Sequence, residues 1–264
     1  MRRRHEEEVR EFFDQDAESY LEAYKSGLGV RSVPFQERKQ AVEEMFTREN
    51  LRVLDVGSGP GVFTEFLLKR KCQIWMLDIS KEMIKQAILF LGEHFPQEQI
   101  FCLVGSIEYL PFPDHFFDSC LCVGVIEYVE NLERALKELA RVIRPGGELI
   151  LTAPNKRSFF FKLDHLVAEV INRGFGWMIV RIRGRRFFEY PFYHRVFDPE
   201  ELVKTVESYG FSLSQQRFTN FRTRILRGFF QGISNRMGGW LEKRLNHTRL
   251  RTLGTNFIAK FERK

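Results

Sequence analysis

The stretch Leu51–Phe66, LRVLDVGSGPGVFTEF, narrows the folds open to this chain of 264 residues more than any other part of it. An apolar, β-branched run (Leu51, Val53, Leu54, Val56) carries Asp55 near its end, glycines follow at 57, 59 and 61, and then a helical pattern begins. That order reads as strand, tight turn, helix. Glycine permits backbone angles that other residues resist and lets a ligand approach the main chain. The free N–H groups at the start of a helix attract an anionic group. The loop is therefore expected to cradle a nucleotide or cofactor; the alternative is a sharp connecting turn with no ligand.

The glycine spacing separates these possibilities further. A dinucleotide fingerprint has the form G-x-G-x-x-G, whereas this loop reads Gly57-x-Gly59-x-Gly61, and no Gly-Lys-Ser/Thr follows to make a phosphate loop. A second strand is expected from Gln73 to Leu77, with Asp78 at its tip. In a parallel β-α-β unit that carboxylate stands beside the glycine loop, where it suits a ribose diol. LDVGSGPG and MLDIS together resemble the first and second motifs of the class I S-adenosylmethionine-dependent methyltransferases, in particular the small-molecule enzymes similar to those of ubiquinone biosynthesis.

Further segments extend the resemblance. GSIEYLPFPDHFFD is similar to the family's G-D-A-x-x-L-P-F-x-x-x-x-F-D, with Ser106 where the family has the acidic residue that holds the adenine amino group. A hydroxyl accepts that bond more weakly than a carboxylate, and Glu108 is an alternative. RPGGELILTAPN resembles the family's turn into its fifth strand. Phe13, Asp14, Ala17 and Tyr20 match an F-D-x-x-A-x-x-Y segment that folds over the cofactor as a lid. The same residues also suit an amphipathic helix packed on the domain.

The resemblance implies an α/β, Rossmann-like methyltransferase fold: a seven-stranded, mostly parallel sheet with an antiparallel last strand, helices on both faces, and basic aromatic insertions in the C-terminal part. Residues 1–47 would form a helical lid or cap, and 48–155 the cofactor-binding core. Residues 156–264 would complete the same domain, with substrate-binding insertions at 156–195 and 219–254. The implied cofactor is S-adenosyl-L-methionine, contacted by Asp55, Gly57, Ser58, Gly59, Gly61, Asp78, Ile79, Met83, Ser106, Ile107, Val123 and Tyr20.

Local patterns fill in the elements. Helices are expected at roughly Gln36–Phe46, from the Ser80 cap to Leu91, at Leu132–Val142, and after the Asp198 cap as far as Gly210. Strands are expected at Ile100–Val104 and at Asp118–Val125, the latter apolar enough to be buried on both faces. Arg144-Pro145-Gly146-Gly147 reads as a break before the fifth strand. Phe211–Phe218 and Thr255–Phe261 would pair as a C-terminal hairpin.

A sulfonium methyl is already activated, so such an enzyme mainly aligns the acceptor, and orientation alone supplies about 7–11 kcal/mol. The Asn-Pro-Pro-Tyr motif that resembling enzymes use on amide or base nitrogens is absent; the residues after the fourth strand are Gly124-Val125-Ile126-Glu127. This disfavours adenine or glutamine N-methylation and leaves oxygen or carbon. His194 is the candidate general base by its position and its accessible pKa, with Glu127 facing the ligand crevice at the end of the fourth strand. A structural histidine and a helix-capping or solvated carboxylate are the alternatives.

Hydrophobic residues make up 44% of the chain, enough for a sizeable core. Cys72, Cys102, Cys120 and Cys122 sit in apolar, strand-like surroundings and read as reduced core cysteines, with too few donors nearby for a metal site. The charged start MRRRHEEEVREF is no signal peptide, and no apolar run reaches the ~18 residues of a membrane span. A cytoplasmic protein is expected. The formal charge of +6 is unevenly spread: 19 basic and 26 acidic residues lie at or before Asn155, and 22 basic and 9 acidic after it. The C-terminal part mixes arginines with Phe, Trp, Ile and Leu, which suits an anionic membrane surface and a small-molecule or lipid-like acceptor. The rival readings are nucleic acid, as in an RNA-directed methyltransferase, a solvated rim around a small-molecule pocket, and a catalytically silent cofactor-binding partner protein.

Overall fold

The computed structural model describes residues 2–25, 32–92, 95, 99–183, 194–223, 238–242, 244–246 and 248–264. An interior strand of its sheet is β1 (Arg52–Val56), buried from Val53 to Val56 because its apolar side chains serve both faces. Around it lie β2 (Gln73–Asp78), β3 (Ile100–Val104), β4 (Phe117–Cys122), β5 (Ile143–Pro154), β6 (Phe211–Thr219) and β7 (Asn256–Arg263), in the order β3-β2-β1-β4-β5-β7-β6. The first five strands run parallel, and β7 runs antiparallel to both β5 and β6. This is the sheet the resemblance implied.

The helices are α1 (Arg2–Lys25), α2 (Ser32–Met45), α3 (Val62–Lys69), α4 (Lys81–Gly92), α5 (Leu132–Val142), α6 (Phe159–Arg183) and α7 (Pro199–Ser208). Strand alternation sorts β1 between two cores. Leu54 and Val56 join Leu136 and Leu139 of α5 and Val206 of α7. Val53 joins Val42 of α2, Leu67 of α3 and Ile84 of α4 on the other face. Each fully buried aliphatic side chain contributes about 1.5–3 kcal/mol relative to exposure.

Several expected boundaries shift. The apolar run Asp118–Val125 stays extended only to Cys122; Gly124 then takes φ +72° and turns the chain out of the sheet. Apolarity there marks burial rather than strand pairing. The segment Arg144–Gly147, expected as a break, is the irregular first part of β5, with a register shift against β4 between Phe117 and Ser119. Helix α2 starts at Ser32 rather than Gln36, with Pro34 tolerated in its first turn. In the first insertion α6 begins where Ser158 Oγ accepts from Phe161 N (3.2 Å), a helix cap. Residues 184–193 of that insertion, and 224–237, 243 and 247 of the second, lie outside the described residues.

Candidate cofactor and acceptor site

The C-terminal ends of β1 to β4 open into a crevice, as strand ends of an open α/β sheet do. It measures about 940 Å³ counted to its open mouth, within the usual range for small-molecule sites. Gly57 begins the loop after β1. Its N–H donates to Leu77 O (2.6 Å), its φ is +62°, and a Cβ would stand 2.2 Å from Val125 Cγ2. The loops after β1 and β4 therefore meet only over a glycine.

Asp78 at the tip of β2 is oriented by two backbone donors: Gly59 N to Oδ2 and Ser80 N to Oδ1, both 2.8 Å. Each carboxylate oxygen keeps a second lone pair that can accept from a ribose hydroxyl. Ser58 is buried and its Oγ has no hydrogen-bond partner among the described residues, a polar atom left over for a ligand. Beyond Asp78 the wall is Ile79, Met83, Ser106 and Ile107. Ser106 Oγ accepts a long bond from Glu108 N (3.4 Å), while Glu108 Oε1 accepts from Asn131 N (2.9 Å). Ser106 is thus the less committed of the two polar groups. These features fit a nucleoside: a diol acceptor, a free hydroxyl and a narrow apolar slot.

Helix α1 forms the cover. His5, Val9, Phe13, Ala17, Tyr20 and Tyr24 make one stripe at helical spacing, and all but Ala17 border the cavity. Asp14, one step round the helix, accepts from Ser80 Oγ (2.6 Å) and Glu82 N (3.2 Å) and so pins α1 to the start of α4. His5 Nε2 donates to the Tyr128 carbonyl (2.9 Å). On α2, Arg38 Nη2 donates to Tyr24 Oη (2.7 Å) and the guanidinium lies over the Phe35 ring, 5.0 Å from its centroid.

Burial lifts three acids at the strand tips. It raises Asp55 to about 7, against the Thr64 hydroxyl donating at 2.7 Å and with the Asp78 charge adding to the rise. It raises Asp78 to about 6, against the Ser80 and Gly59 N–H donors and with Asp14 adding. It raises Glu127 to about 7, against its own backbone N–H and the Arg38 charge. Glu127 Oε2 is buried with no hydrogen-bond partner among the described residues.

The expected cofactor residues divide. Gly57, Ser58, Gly59, Asp78, Ile79, Met83, Ser106, Ile107, Val123 and Tyr20 all border the cavity. Asp55 and Gly61 do not. Asp55 shares the α3 side of β1 with Val53 and accepts from Thr64. Gly61 is the N-cap of α3 at φ +80°, where a Cβ would stand 2.9 Å from Leu91 Cδ1, so it serves the packing of α3 on α4. Of the two expected catalytic residues, Glu127 lies just behind the wall, close enough to feel Arg38. His194 packs its ring on Tyr128 at 5.4 Å and does not border the cavity. His5, Tyr24 and Arg38 were not singled out as site residues. Extending the α1 stripe by one turn each way reaches His5 and Tyr24, whereas nothing local marks Arg38.

Glycine loop, acidic strand tip and helical cover together define a nucleoside-cofactor protein of the Rossmann-like methyltransferase type. The family model described as a methyltransferase domain matches residues 54–151. An uncharacterized protein of Methanocaldococcus jannaschii is 30% identical over 172 residues, 64% of this chain and 67% of that protein. The ubiquinone biosynthesis O-methyltransferase of Xanthomonas oryzae pv. oryzae is 32% identical over 123 residues, 46% of this chain and 51% of its own, so the chain spans about half the length of that curated relative. Among solved structures, magnesium protoporphyrin IX methyltransferase of Synechocystis with bound S-adenosylhomocysteine has a TM-score of 0.70 at 16% identity, covering 97% of this chain and 98% of that one. That likeness is one of fold. The chain belongs to the class I S-adenosylmethionine-dependent methyltransferases, and its cofactor is S-adenosyl-L-methionine.

Proposed function

We propose that the protein transfers the methyl group of S-adenosyl-L-methionine to an oxygen or carbon of a small, lipid-like acceptor, by in-line displacement. The acceptor site lies between α1 and the loop after β4. The observation that carries this reading is the aromatic wall there, Phe13, Tyr20, Tyr24 and Tyr128, with the buried Glu127 carboxylate beside it. When bound, the cofactor supplies an activated sulfonium methyl. Asp78 and Ser58 orient its nucleoside end, and α1 keeps water from the crevice. Glu127 Oε2, poised near neutral pH and without a hydrogen-bond partner among the described residues, takes the proton of an acceptor hydroxyl. His194 acts through Tyr128, as a positioning residue. The O-methyltransferase of ubiquinone biosynthesis among the relatives supports oxygen as the acceptor atom.

We also assign the basic C-terminal part to an anionic membrane surface. Helix α6 exposes Phe159, Leu166 and Val170, and the residues from Lys156 onward carry 22 basic and 9 acidic side chains. No helix among the described residues is long and apolar enough to cross a membrane.

The test is incubation with labelled S-adenosyl-L-methionine and a panel of hydroxylated aromatic and polyprenyl acceptors, with Glu127→Gln in parallel. The expected result is label in an organic-soluble product, slowed about 10²- to 10⁴-fold by the substitution while cofactor affinity is kept. Label in RNA alone, or no turnover with cofactor bound, would reverse the reading.

A further inference from the structure

No described residue after Glu130 borders the crevice. The described part of the second insertion can therefore act on it only through another element. Helix α2 is placed to be that element. With about 3.6 residues per turn, its residues 35, 38 and 42 share one side and 37 and 44 the opposite side. On the inner side Phe35 stacks on Tyr24, 4.5 Å between centroids and 20° between planes, and lies 5.1 Å from the Tyr20 ring. Tyr20 and Tyr24 border the crevice. On the outer side Arg222 Nη2 donates to Glu37 Oε1, and Arg217 Nη1 donates to Glu44 Oε2.

Arg222 stands between α2 and the insertion. It is 4% exposed and follows the end of β6. A Cβ on Gly238 would collide with its Nε, so the bare glycine is what lets the returning chain close over the guanidinium. Glu242, also buried, accepts from Arg217 Nη2 (3.2 Å) and feels the Arg222 charge. Two arginines and three glutamates thus join β6, α2 and residues 238–242. Losing one member of a buried pair strands the other charge, and a charge-assisted bond fixes direction as apolar contact does not. Lys260 Nζ donates to Met45 O (3.1 Å) and ties the far end of α2 to β7. Movement at Glu37 therefore swings the end of α2 that carries Phe35.

We propose that Arg222 is a positioning residue for methyl transfer: its pair with Glu37 sets the lie of α2, and through Phe35 the rings of Tyr20 and Tyr24 against which the acceptor packs. This rests on the acceptor reading above. The described end of the second insertion shapes the acceptor site from outside it.

Fluorine NMR with 3-fluorotyrosine in place of the seven tyrosines tests the assignment, Tyr24→Phe and Tyr209→Phe identifying two of the resonances. Arg222→Met is expected to move the Tyr24 resonance and to leave that of Tyr209, at the end of α7, in place. At saturating S-adenosyl-L-methionine it should lower kcat/KM for a hydroxylated aromatic acceptor about 10- to 100-fold, the scale of a misplacement caused far from the reacting atoms. Arg222→Lys, which keeps the charge but not the planar fork, should recover part of both effects. Glu37→Gln, at a carboxylate that is partly exposed, disturbs folding less and should move the same resonance. A Tyr24 resonance that stays put in both variants would overturn the proposal. So would a moved resonance with kcat/KM unchanged. Equal shifts at Tyr24 and Tyr209 with a lower melting temperature would make Arg222 a scaffold residue, and overturn it too. A wild-type chain that binds cofactor but methylates no acceptor would instead remove the acceptor reading, and this assignment with it.

Discussion

Asp55 is 1% exposed and carries a pKa raised to about 7. An ordinary aspartate in the unfolded chain titrates near 3.8. Between those values the folded chain holds a proton that the unfolded chain has lost. Its contribution to stability is therefore fully present below about pH 4 and is lost as pH rises through about 7. Asp55→Asn keeps an acceptor for Thr64 and cannot ionise. It is expected to be more stable than wild type at pH 8 by about 1–4 kcal/mol, with the gain shrinking towards pH 4. Urea melts at pH 4, 6 and 8 check this, and a gain independent of pH would assign the effect to something other than ionisation. The residue also marks what could be read from sequence. LDVGSGPG announces a cofactor loop, but only strand alternation, with Val53 and Asp55 on one side and Leu54 and Val56 on the other, separates the carboxylate behind the loop from the glycines that border the ligand. Arg38 was illegible for a different reason. It is one arginine in a polar helix, and only the fold brings it beside Tyr24 and Gly124, the latter 86 positions later in the chain.

At the scale of elements, β3 and α5 fall on the residues that periodicity predicts, Ile100–Val104 and Leu132–Val142. β4 does not, because an apolar run reports burial equally well in a strand and in the turn that leaves it. Helix α1 is the element on which most depends, since it supplies much of the cavity wall and is pinned by the Asp14 contacts to Ser80 and Glu82. Removing both with Asp14→Ala loses about 1–2 kcal/mol at the cover rather than in the core. The expected outcome is release of S-adenosylhomocysteine about 5- to 30-fold faster in stopped flow, with the melting temperature nearly unchanged. An equal fall in stability and no change in release would make α1 a fixed wall rather than a cover that opens.

Across the whole molecule, charge is divided along the chain: a cofactor-binding part with an acidic excess precedes a part with a strong basic excess. That division was visible in the sequence. Helix α6 was not, since arginines, glycines and aromatics mix there without a clean period; the structure nevertheless carries a 25-residue helix through it. With Leu166 and Val170 exposed one turn apart, α6 offers apolar contact beside net positive charge. Flotation with vesicles containing anionic lipid is expected to carry the protein upward at low salt and to release it as salt rises past the screening range. Leu166→Glu with Val170→Glu should abolish flotation and leave cofactor affinity intact. No flotation at low salt would confine the acceptor to solution.

The four cysteines have a practical consequence. Cys72, Cys120 and Cys122 are buried, and burial raises their thiols above the ordinary value. Cys102 is half-buried on β3, at the open margin of the sheet. A short pulse of alkylating reagent, read by peptide mass, will therefore mark position 102 when that margin frays and the other three only when the centre comes apart. The chain carries its own pair of clocks, and timing them against added cofactor needs no engineered label.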